Sequence, residues 1–271
     1  MSRSAEFLSG GAAGARNIRR SLGLHQELQQ DIHAGIARYQ REQGLPVFHP
    51  DTSRIVLPRG MMHQAGERYK QAPYDVNDER VDASYKALGH EIDQQLDFMQ
   101  RPRSKGGMGI HAGVSPVDPY GRRDMSQPYA DKPDLIMSDT AKDIVNHGRI
   151  QALAAGSTGS NLGMTPDQNE ALRVIHDYFG HMGAMRGVDM HGEEAAYQSH
   201  ASMFSPAARP ALARELREQN AYLHHTGLFP DTQKRGIAYS GPTLNPAQFG
   251  ESRSALENEA RFEQEKQGLP W

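Results

Sequence analysis

The chain of 271 residues contains no cysteine, which excludes disulfides, thiolate metal sites and cysteine nucleophiles together. Any bound metal must therefore be held by histidine and carboxylate, and the sequence offers 13 His and 33 Asp or Glu for this. Apolar material is also scarce. Hydrophobic residues make up 37% and the mean hydropathy is −0.71. No apolar run approaches the ~18 residues that a membrane helix needs, so no membrane association is expected. The net charge of −3 supplies no basic field of the kind that draws in nucleic acid. The opening Met-Ser-Arg-Ser carries no signal-peptide apolar core. These absences point to a cytoplasm or a particle assembled there. The length suits a single domain with ample core.

What is present reads as mainly α, a single helical domain over 21–271 with long loops and at most a few short strands. Residues 1–20 form an arm, with the glycine-rich Ser9-Gly10-Gly11-Ala12-Ala13-Gly14 followed by Arg16, Arg19 and Arg20. Leu24, Leu28, Ile32, Ile36 and Tyr39 recur at helical spacing from Leu22 to Gln43, where Gly44 and Pro46 end the run. A second helix is expected over Arg59 to Gln71. Asn77 reads as the N-cap of a third, whose stripe of Val81, Tyr85, Leu88, Ile92, Leu96 and Met99 is core packing. Residues 101–133 read as a long Gly/Pro-rich loop, of the length usually seen in functional or partner-bound segments. A short helix from Ser138 or Asp139 to His147 and a strand from Arg149 to Ala155 follow. Thr165-Pro166-Asp167-Gln168 combines an N-cap, proline at N1 and a capping-box glutamine. The helix it opens should break at Gly180. Further helices are expected from Glu193 to Phe204, from Ser205-Pro206 to His225, and from Ser254 to Lys266.

The chemistry concentrates in the helices of 165–225. His176 and His181 stand five residues apart, which on an ideal α-helix separates them by roughly 140°. If the helix ends at Gly180, His181 can swing back and the two imidazoles share one ion. Two histidines then need a third donor, and without cysteine it is a carboxylate, as in non-haem iron and many zinc sites. Glu215 and Glu193 are the leading candidates. His200 shares the Glu193 stripe through Tyr197 and is a further candidate ligand. Asp177, Glu194 and Arg217 are candidates for catalytic roles, and Tyr197, Gln219 and Asn220 for substrate contact. The blander alternative is a hydrogen-bonded core histidine beside a surface one, with Arg217, Gln219 and Asn220 on a solvated face. No HExxH, P-loop or Gly-x-Ser-x-Gly elbow occurs.

Two resemblances follow from these residues. His176-Asp177-Tyr178-Phe179-Gly180-His181 resembles the iron motif of pterin-dependent aromatic amino-acid hydroxylases, in which both histidines and a glutamate on a later helix bind Fe(II). Over about 50 residues this implies a divalent metal, Fe or Zn, with Glu215 or Glu218 on the later helix. The likeness does not extend to that family's pterin-binding and substrate-binding segments. The broader likeness is to a domain of the polyvalent proteins of phages and mobile elements. It rests on Asn77-Asp78-Glu79-Arg80-Val81 with Tyr85, the His176–His181 block, Gly192-Glu193-Glu194-Ala195-Ala196 and His200. Met203-Phe204-Ser205-Pro206, Glu215-Leu216-Arg217-Glu218-Gln219-Asn220 and Glu265-Lys266-Gln267-Gly268-Leu269-Pro270-Trp271 complete it. Glu218 departs from that pattern's usual Gly, and the residue that usually precedes the final Trp is missing. The resemblance implies a phage context and a retained polar site, and a metal held there by the two histidines and a glutamate would serve oxygenase-like or hydrolase-like chemistry. Its alternative is a structural or internal virion protein that uses the domain for packing. In that case the partners are other virion proteins, or further copies joined through the arm and the 101–133 loop.

Overall fold

A computed structural model describes residues 26–238 and 240, apart from 53–54, 56, 58, 118, 120–132 and 158. The arm at 1–20, much of the 101–133 segment and the helix expected over 254–266 lie outside the described residues. The architecture is mainly α, with two small parallel sheets of two strands each among the described residues. No helix among them is long and apolar enough to cross a membrane.

Helix α1 (26–42) buries Leu28, Ile32, Ile36 and Tyr39, the face that the 3.6-residue spacing marks out. Helix α2 (Arg59–Gln71) packs against the segment 213–226. Helix α3 (Glu79–Gln100) begins one residue later than expected. Asp78, not Asn77, holds the extended N-cap conformation, and its carboxylate accepts from the Arg80 amide. A full negative charge at this end of the helix dipole favours that choice. The stripe packs as expected, with Val81, Tyr85, Leu88, Ile92 and Met99 buried and Leu96 partly so.

Part of the expected loop is strand β1 (His111–Ser115). It pairs in parallel with β2 (Arg149–Leu153), from His111 opposite Arg149 to Ser115 opposite Leu153. Parallel partners need a crossover, and helix α4 (Pro133–His147) lies on that connection. It starts earlier than Ser138, and Gly148, at φ 61, ends it. A second pair, β3 (Ser160–Asn161) with β4 (Thr232–Gln233), is only two residues long. Its importance lies in bringing Asn161 and Gln233 together.

Helix α5 (Pro166–Ile175) has the full capping box: Thr165 Oγ1 accepts from the Gln168 amide, and Gln168 Oε1 accepts from the Thr165 amide. The helix does not break at Gly180. It runs on as a π-helical segment, π1 (His176–Met182), and Gly183 keeps right-handed helical angles. Helix α6 (Met190–Ala201) starts three residues before Glu193, capped by the Asp189 carboxylate on the Gly192 amide, and it stops before Phe204. The last long helix among the described residues is again interrupted by a π segment: α7 (Arg209–Leu212), π2 (Ala213–Glu218) and α8 (Gln219–Thr226). Residues from α1, α3, α5, π1, α6 and α7 share one apolar cluster, and the candidate site sits at its edge.

Candidate metal centre

The site is built on the π segment. In a π-helix the N–H of residue i+5 bonds the carbonyl of residue i, so residue i+5 lies one turn above residue i. His176 and His181 therefore converge without any helix end, with ring centroids 5.0 Å apart. The structure corrects the reason expected for their meeting: Gly180 acts through its missing side chain. A Cβ there would lie 2.8 Å from His176 Nδ1 and 2.9 Å from the Ala196 carbonyl oxygen. Gly180 thus lets α6, with its Ala195 and Ala196, close onto π1, and the approach brings Glu193 to the two rings. The displaced backbone is held from outside. Ser199 donates to the Phe179 carbonyl at 2.8 Å, and Gln29 and His33 of α1 bond the Gly183 carbonyl at 3.1 and 2.7 Å.

Among the described residues, His176, His181 and Glu193 form the one group of three or more His or acidic side chains that could hold a metal ion. One donor atom from each lies within 4.8 Å of the others. Glu193 Oε2 is 3.4 Å from His181 Nε2 and 3.8 Å from His176 Nε2. The latter is beyond hydrogen-bond reach. Both histidines are buried, and the Glu193 side chain is 11% exposed. His181 Nδ1 bonds the Arg186 carbonyl at 3.1 Å, which leaves Nε2 for the site. The loop that returns this carbonyl carries Met185 at φ 50. A non-glycine residue there costs on the order of 1 kcal/mol, held by the surrounding contacts. Buried His176 Nε2 has no hydrogen-bond partner. A buried, unpartnered ring nitrogen facing a carboxylate and a second imidazole is what a divalent ion would satisfy, so the donor set fits such an ion.

The electrostatics follow from enclosure. Burial alone would lower the His181 pKa, but the Glu193 carboxylate outweighs it and holds the ring up to about 9. Burial would raise Glu193, and the two histidines hold it well below the usual carboxylate range. For His176 burial wins and the pKa falls.

The three donors open on a cavity of about 110 Å³, which Asp177, Glu215, Gln219 and Asn220 also line. Glu215 and Asn220 repeat the π device. They too are five residues apart, and the Gln219 amide bonds the Arg214 carbonyl five residues back. Glu215 is not grouped with the three donors. Its Oε1 accepts from Tyr85 at 2.5 Å and its Oε2 from Asn161 at 2.7 Å. Asn161 in turn reaches Gln233 at 2.7 Å across the small sheet. Burial pushes Glu215 up, and the Tyr85 and Asn161 bonds only partly offset this. Asn220 donates to Glu193 Oε2 at 2.6 Å and so orients a ligand.

His200 lies behind His176, ring centroids 5.4 Å apart, and faces Gln95 rather than the cavity. Glu194 and Arg217 form a buried two-armed ion pair at 2.6 and 2.9 Å, and the guanidinium stacks 4.0 Å over the Tyr197 ring. None of these three is among the residues lining the cavity. They tie α6 to π2 and thereby hold Glu193 in place. Sequence reasoning missed Gln95, Tyr85's bond to Glu215, Asn161 and Arg186. For Gln95 a signal existed: it falls on the 88–92–95–99 stripe, where a polar residue in an apolar row demands a buried partner. The other three depend on tertiary closure. Compared with protein-family models, with curated proteins and with solved structures, the chain matches none of them.

Proposed function

We propose that this chain is a divalent-metal enzyme of the hydrolytic kind, with His176, His181 and Glu193 holding the ion. The observation that carries the reading is the convergence of the three donors on a polar cavity, with buried His176 Nε2 lacking a partner. An ion there would supply Lewis acidity and lower the pKa of a bound water to about 7. The protein's own contribution is distinct from this. Asn220 and the Arg186 carbonyl fix two of the donors. Glu215, a carboxyl in the same cavity whose burial pushes its pKa up, is placed to take and return a proton. Gln219 and Asp177 line the space where a small polar substrate would sit.

A second reading is an oxygenase, favoured by the donor set itself, since two imidazoles and one carboxylate are also the ligand set of non-haem iron oxygenases. The phage setting belongs to this proposal through the sequence resemblance. Elemental analysis of untagged protein, wild type against His176→Ala, tests it. One zinc or iron per chain, lost in the variant, is expected. Zinc with metal-dependent hydrolysis supports the first reading, and iron with oxygen-dependent turnover supports the second. A folded protein that holds no metal and copurifies with virions in many copies overturns both in favour of a packing role.

A further inference from the structure

Behind the three donors a line of polar groups runs into the core. Gln95, fully enclosed in α3, donates from Nε2 to the Met203 carbonyl at 3.2 Å. Its Oε1 faces His200 Nε2 at 2.9 Å. His200 Nδ1 faces His176 Nδ1 at 3.3 Å. The other nitrogen of His176 is the one aimed at Glu193.

We propose that Gln95 and His200 are positioning residues which lock His176 as its Nδ1–H tautomer and so present a bare Nε2 at the metal position. The inference rests on the metal-site reading above and adds to it the groups that decide which nitrogen is offered. The proton placement follows from one end. A backbone carbonyl only accepts, so the Gln95 atom beside Met203 is the amide nitrogen and the other is the oxygen. That oxygen also only accepts, so His200 Nε2 carries a hydrogen. The His200 ring is 0% exposed, with Phe204 edge-on at 4.9 Å and Phe179 stacked at 6.4 Å. A second proton would place an unpaired charge in this apolar setting, which is costly. His200 Nδ1 is therefore bare and accepts, His176 Nδ1 donates, and His176 Nε2 keeps its lone pair. A ligand histidine's orientation and tautomer are set by the bond its other nitrogen makes. The alternative, with the hydrogens reversed along the row, would cap Nε2 with a proton and block the site.

The test reads the tautomer directly in the full-length, metal-free protein. Long-range proton–nitrogen correlation spectra of the 15N-labelled histidines distinguish a bare ring nitrogen from a protonated one. The wild type should show His176 with protonated Nδ1 and bare Nε2. Gln95→Met touches no ligand yet removes the acceptor that fixes His200. It should shift His176 toward the other tautomer or a mixture of the two, and weaken zinc binding by about 10- to 100-fold. His200→Leu should do the same. His200→Asn, whose Oδ1 can stand where Nδ1 stood, should restore both the tautomer and the affinity. A purely structural role for the row would leave the His176 tautomer unmoved in every folded variant, and that result overturns the proposal. So does a wild-type His176 protonated at Nε2. If His200→Leu fails to fold, the wild type and Gln95→Met still decide. A wild type with the expected tautomer that takes up no zinc leaves the proposal standing and removes the metal reading instead.

Discussion

Asn220 Nδ2 lies 2.6 Å from Glu193 Oε2, the same oxygen that faces His181 Nε2 at 3.4 Å. A residue of α8 thus steers a carboxylate on α6 toward an imidazole on π1. A hydrogen bond to a charged group contributes about 1.5–3 kcal/mol. Asn220→Ala should cost about that much in chemical denaturation. It should also weaken metal binding by about 10-fold or more, read by competition with a chelator. An unchanged affinity would mean that Glu193 holds its orientation without Asn220.

Gly180 gives a sharper test of how the site is assembled. By helix propensity alone, Gly180→Ala should stabilise the protein by about 1 kcal/mol. Here the added methyl would sit 2.8 Å from His176 Nδ1 and 2.9 Å from the Ala196 carbonyl, and the latter is backbone that cannot step aside cheaply. The expected outcome is a loss of about 1–3 kcal/mol, from overpacking. Metal affinity should fall with it, because α6 and Glu193 are pushed off π1. A stabilised Gly180→Ala protein with intact metal binding would show that the two elements have slack between them.

Gly180 also marks how far the sequence could be read. The helical content, the α3 stripe and the Thr165 capping box were legible, because each rests on local periodicity or local hydrogen bonding, whereas the meeting of His176 and His181 was expected through a helix end that does not occur. The π segments were not. An α-helix and a π turn use the same residue types. What selects the π turn is where its displaced carbonyls find donors, and Ser199, Gln29 and His33 are remote in sequence. The choice between Glu193 and Glu215 was hidden for the same reason. It depends on Tyr85 and Asn161 occupying both oxygens of Glu215, from elements 130 and 54 residues away. Strand β1 was read as loop because His111–Ser115 has no alternating pattern and acquires its partner only through α4.

Glu194 and Arg217 read as catalytic candidates in the sequence, and their geometry assigns them a different expected phenotype. The pair is buried, with 2% and 8% of the side chains exposed. Removing one charge takes the two-armed bond from the other, at a cost of about 3–5 kcal/mol. Glu194→Gln should therefore lower the thermal midpoint strongly. Joint replacement of Glu194 and Arg217 by methionine should recover much of the loss, since no charge is then left unpaired. In either case the folded fraction should bind metal at wild-type stoichiometry. An Arg217→Met protein of normal stability that no longer turns over substrate would return Arg217 to the chemistry.

Proton linkage at His181 makes metal uptake depend on pH with a definite sign. The ring's ordinary pKa is 6.5, and in the metal-free fold Glu193 outweighs burial and holds it up to about 9. Between these values the folded chain keeps a proton that the unfolded chain has lost. Metal-free stability from this group is thus fully present below about 6.5 and declines as the pH rises through about 9. A divalent ion needs the bare nitrogen and must displace that proton. Its affinity should climb about tenfold per pH unit across the window and level off above about 9, with one proton released per ion below that point. The gap between metal-bound and metal-free thermal midpoints should therefore widen with rising pH, even as the metal-free midpoint falls. Thermal unfolding at several pH values, in chelator-buffered zinc and in chelator alone, measures both curves. Calorimetric titration in buffers of different ionisation enthalpy counts the proton. Uptake that releases no proton at pH 7 would mean that His181 is already bare in the metal-free fold, and that Glu193 does not hold it charged.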